Sequence, residues 1–89
     1  MPAAGSPELE FPVKWTFRLI VESGRVREAA AEFERIFASF GLHPELAAGC
    51  DSATGRYRTL LAPVTIPSRR VFDELPTRLG AVGGVRMVI

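Results

Sequence analysis

Val13-Lys14-Trp15-Thr16-Phe17-Arg18-Leu19-Ile20-Val21-Glu22 is apolar at every odd position, while the even positions carry Lys14, Thr16, Arg18, Ile20 and Glu22. A period of two with one apolar side marks a strand that is covered on one face only. After Ser23-Gly24 the period lengthens: Val26, Ala29, Ala30, Phe33, Ile36, Phe37 and Phe40 recur at helical spacing. Arg27, Glu28, Glu32, Glu34 and Arg35 fall largely off that stripe, so the segment is an amphipathic helix whose phenylalanines belong to the core. Ser23 or Gly24 is placed to cap its start, and Gly41 to end it in the left-handed conformation. His43-Pro44 then forbids continuation, because proline restricts the residue before it.

Outward from this unit, Glu45 to Asp51 reads as a short, plain strand and Ser52-Ala53-Thr54-Gly55 as a hairpin turn. Arg56 to Ile66 alternates again: Arg58, Leu60, Ala62, Val64 and Ile66 share one face, and Tyr57, Thr59, Leu61, Pro63 and Thr65 the other. Pro63 has no amide hydrogen for a ladder, which predicts a bulge or an unpaired stretch there. Ser68 caps a second helix with Val71, Phe72, Leu75 and Leu79 on its apolar side and Arg69–Asp73 and Arg70–Glu74 pairs outside. Pro76 is expected to kink that helix or end its regular part. Gly80, Gly83 and Gly84 punctuate the exit, and Val85-Arg86-Met87-Val88-Ile89 forms a last strand. The order β-α-β-β-α-β predicts an α+β, ferredoxin-like sandwich: a four-stranded antiparallel sheet in the order 4-1-3-2 with both helices on one face. Residues 1–8 are expected to be a flexible leader and 9–89 a single domain. Trp15 and Phe17 both fall in the buried set, where truncation costs ~3–5 kcal/mol.

Composition narrows the function. The 89 residues are 47% hydrophobic and 24% charged, which excludes a fully disordered chain. Eleven basic against ten acidic residues give a net charge of +1, so no duplex nucleic-acid partner is indicated. One cysteine, Cys50, excludes an internal disulfide, and one histidine, His43, leaves no protein-only zinc set; no cofactor or metal is expected. Met1 to Glu10 lacks the basic start and apolar stretch of a signal peptide, and no apolar run approaches the ~20 residues that span a bilayer. The expectation is a cytoplasmic protein with no membrane association.

The uncovered sheet face is the expected contact surface. It would carry Lys14, Thr16, Arg18, Ile20 and Glu22, with Tyr57, Thr59 and Leu61, and Arg86 and Val88 from the last strand. Lys14, Arg18, Tyr57 and Arg86 are the candidate contact residues, for a protein partner or a homodimer formed through this face or an edge strand. RNA-binding domains of this topology stack bases on central-strand aromatics, and here Tyr57 alone lies outside. An enzyme acting on an acyl or phosphoryl substrate would rest on Arg25, with no asparagine in the chain to assist it. Cys50 beside Asp51 has no oriented base, so it reads as a packing residue. The expectation is therefore a non-catalytic module.

Four segments carry a family resemblance: Leu9-Glu10-Phe11-Pro12 ahead of the first strand, Gly55-x-Tyr57 opening the third, Leu79-Gly80, and Val85-Arg86-Met87-Val88-Ile89. In their order and spacing, from Leu9 to Ile89, the chain resembles the YbeD family of small uncharacterised bacterial proteins. The resemblance implies the same βαββαβ sandwich, similar to the ACT-type regulatory domain of amino-acid biosynthetic enzymes. Genes of that family lie in some bacteria beside a lipoyl-transfer gene, which has suggested a link to lipoate metabolism. The ACT likeness implies a small-molecule effector at the first strand-to-helix junction, here Ser23, Gly24 and Arg25. Pro76 and the plain Leu46-Ala47-Ala48-Gly49 segment depart from the family's pattern. Together these readings describe a regulatory or protein-interaction module.

Overall fold

A computed structural model of the chain describes residues 10–49 and 53–89. Strand β1 (Val13–Glu22) passes through one 3-10 turn, Ser23–Arg25, into helix α1 (Val26–Ser39). Strand β2 (Ala47–Ala48), strand β3 (Tyr57–Ile66), helix α2 (Arg69–Gly80) and strand β4 (Val85–Val88) follow. All strand pairs are antiparallel and the sheet runs β2-β3-β1-β4, which is the expected order.

The two long strands set the layers. β1 and β3 pair without a shift from Val13↔Ile66 to Glu22↔Tyr57. Directly opposed residues share a face, so Phe17, Leu19 and Val21 stand beside Leu60, Ala62, Val64 and Ile66, all buried. α1 lowers Ala29, Phe33 and Phe37 onto this face, and α2 adds Leu75 and Leu79. The rings of Phe17 and Phe37 are 6.2 Å apart. Pro63 sits in register opposite Thr16, so there is no bulge against β1. The amides of Arg18 and Glu22 are bonded to Ile89 and Gly84 on the β4 side. By the same alternation Pro63's nitrogen faces the other way, toward β2, which pairs only with Leu61 and Leu60. The proline occupies an edge where no ladder bond is lost.

Several local expectations change. Trp15 lies on the covered side yet is 37% exposed. Its indole stands edge-on to Phe72, at 5.0 Å and 85°, and this first-turn residue of α2 shields only one edge of a large ring. Pro76 does not end α2, which continues to Gly80. It removes the amide that would bond the Phe72 carbonyl, but Leu75 and Leu79 on either side are fully buried, and their packing holds the turn together. Neither Ser23 nor Gly24 caps α1; Arg25 occupies that position with no side-chain bond. Ser23 instead donates its hydroxyl to the Gly55 carbonyl and its amide to that of Arg56, tying the end of β1 to the start of β3. Of the expected strand from Glu45 to Asp51, only Ala47–Ala48 is strand, while Cys50 and Asp51 lie outside the described residues, as does the leader 1–8.

Other ends close as the sequence indicates. Gly41 has φ 75°, with Gly41 N–H bonded to Ala38 O and Leu42 N–H to Phe37 O, a Schellman closure. The Ser68 hydroxyl accepts from Val71 N–H at the start of α2. Gly84, with φ 89°, leads into β4 beneath Arg25: a Cβ there would lie 2.8 Å from Arg25 Cδ and 2.9 Å from its Cβ. Gly24 faces open space.

These environments rank the substitutions in chemical denaturation. Phe17→Ala is expected to cost about 3–5 kcal/mol, and Trp15→Ala, from a half-covered edge contact, about 1–2 kcal/mol. Gly84→Ala is expected to cost about 1–2 kcal/mol or more, with Gly24→Ala close to neutral. Equal losses at Trp15 and Phe17 would contradict the packing described.

Candidate interaction face

The side of the sheet away from the helices is built by alternation. Lys14, Thr16, Arg18, Ile20 and Glu22 of β1 stand opposite Thr65, Pro63, Leu61, Thr59 and Tyr57 of β3. β4 breaks the alternation. Its partners are Leu19↔Val88, Ile20↔Met87 and then Val21↔Val85, so Arg86 is an extra residue in a bulge. Val88 is thereby turned to the covered side and packs against the core, contrary to the expectation that it lies on the open face. Met87, 49% exposed, stands on the open face opposite Ile20. Ile89, 56% exposed, joins it through paired backbone bonds with Arg18 of 2.9 Å each.

The four candidate contact residues lie along this face without converging. Lys14 stands opposite Thr65 at one end, Arg18 opposite Leu61 midway, and Tyr57 opposite Glu22 at the far end. The strand rise puts roughly 27 Å between the two ends. Only Tyr57 and Arg86 meet, the guanidinium carbon 5.9 Å from the ring centroid, a cation–π contact. Glu22, the acidic side chain on this face among the described residues, is 3.8 Å from Arg25 Nε. Lys14 and Arg18 make no ion pair among the described residues.

Between these cations the surface is apolar. A depression of about 350 Å³ is lined by Arg18, Ile20, Gly49, Thr59, Leu61 and Ile89. Gly49 borders it closely: its amide donates to Thr59 O at 2.7 Å, and a Cβ there would lie 3.1 Å from Thr59 Cγ2 and 3.3 Å from Leu61 Cγ. Sequence reasoning missed Met87, Ile89 and Gly49. The available signal was that Met87, Val88 and Ile89 are apolar in succession, which no strict alternation accommodates.

The junction loop is tied down. Ser23 is held by Gly55 and Arg56, and Arg25 lies across Gly84. A depression of about 280 Å³ beside them is lined by Glu22, Ser23, Gly24, Arg56 and Tyr57, with Arg25 turned elsewhere. His43 is exposed in the loop after α1. Among the described residues, no group of three or more His, Cys, Asp or Glu is placed to hold a metal ion, and no helix is long and apolar enough to cross a membrane.

No protein-family model and no curated protein matches the chain. Solved structures do. The solution structure of protein HP0495 from H. pylori superposes with a TM-score of 0.81 at 12% identity, covering 100% of this chain and 94% of that one. The C-terminal domain of the MgtC protein from Mycobacterium tuberculosis gives 0.71 at 17% identity, covering 93% and 89%. At these identities the likeness is one of fold: a small α+β sandwich with a four-stranded antiparallel sheet.

Proposed function

We propose that this chain is a non-catalytic interaction module that binds an acidic protein surface through the open face of its sheet. One observation carries the reading: on that face Lys14, Arg18 and Arg86 surround Ile20, Leu61, Met87 and Ile89, while Glu22, the one acidic side chain there among the described residues, is drawn toward Arg25. Apolar residues ringed by uncompensated cations suit a partner with an apolar centre and an acidic rim. A second copy of this chain would set cation against cation, which makes an acidic partner the better complement.

The sheet edges support the face over an edge strand. β4 is four residues long and bulged, β2 is two residues long, and the stretch of β3 beyond β2 contains Pro63. Short strands, bulges and proline are the devices that blunt edges against pairing. Tyr57 is the one aromatic on the face among the described residues, and Arg86 lies over it, which favours protein over stacked bases. The resemblance to YbeD proteins, and through them to ACT domains, is the ground for reading the module as regulatory. By analogy alone the Ser23-Gly24-Arg25 loop would take an effector, and the lipoate link extends to this chain on the same footing.

Replacing Lys14, Arg18 and Arg86 by Glu together with Tyr57→Ser is expected to weaken any association of the wild-type protein by about tenfold or more. The circular-dichroism melt should stay close to wild type, and raising salt should weaken the wild-type association. Arg35→Glu with Arg70→Glu, on the helix side, should leave it intact. A face variant that keeps every association would overturn the assignment.

A further inference from the structure

We draw no further inference here: the strongest candidate, the outer edge of β1 from Lys14 to Phe17, which β4 does not pair and beside which Trp15 is 37% exposed, carries nothing because no feature of the described residues shows what covers it.

Discussion

The pairing of β1 with β3 is the interaction on which the rest of the molecule depends. From Val13↔Ile66 to Glu22↔Tyr57 the register is unbroken, so each odd residue of β1 faces the helices and each even one faces away. A slip of one residue would reverse that set, moving Phe17, Leu19 and Val21 into water and Arg18 into the core. Exposing three buried side chains alone costs roughly 5–9 kcal/mol, comparable with the whole stability of a small domain. The same pairing therefore fixes both the core and the composition of the open face. Ser23 reinforces it by bonding to Gly55 and Arg56 where the two strands meet the loops.

The second determinant is the bulge in β4. One end of the strand is fixed by the turn bond from Val85 N–H to Val82 O and by Glu22 N–H to Gly84 O. The other is fixed by the paired bonds between Arg18 and Ile89. The chain between these anchors is one residue longer than β1 requires, and the excess is taken up at Arg86. As a result Val85 and Val88 both pack toward the core, while Arg86, Met87 and Ile89 are left on the open side. The contribution of Met87 and Ile89 to the apolar centre of the candidate site is a product of that single inserted residue. So is the placing of Arg86 over Tyr57.

Most of the fold was legible because its signals are periodic. The odd positions of β1, the stripe through Phe33 and Phe37, and Gly41 behind α1 each name a local structure by spacing or backbone freedom. Most of the departures arose where tertiary packing decides. Nothing in Leu75-Pro76-Thr77 says that buried leucines will carry a helix past a proline. Nothing in Lys14-Trp15-Thr16 says that α2 leaves Trp15 more than a third exposed. Ser23 has the chemistry of a cap, but a carbonyl 32 residues away in sequence took its hydroxyl. For the open face, Lys14, Arg18 and Tyr57 followed from parity along regular strands. Val88 did not, because a bulge changes parity, and the apolar run Met87-Val88-Ile89 shows that strict alternation fails without showing where the extra residue sits.

The orientation of β4 is therefore the point at which the account is most directly exposed. Side-chain NOEs in the isotopically labelled protein, measured together with methyl relaxation by a soluble paramagnetic probe, would read it. The account predicts NOEs from the Met87 methyl to Ile20, strong probe relaxation at Met87 and Ile89, and protection of the Val88 methyls with contacts to the core. Val88 methyls relaxed by the probe and close to Ile20, with Met87 protected, would show a strand without the bulge and would contradict the face described.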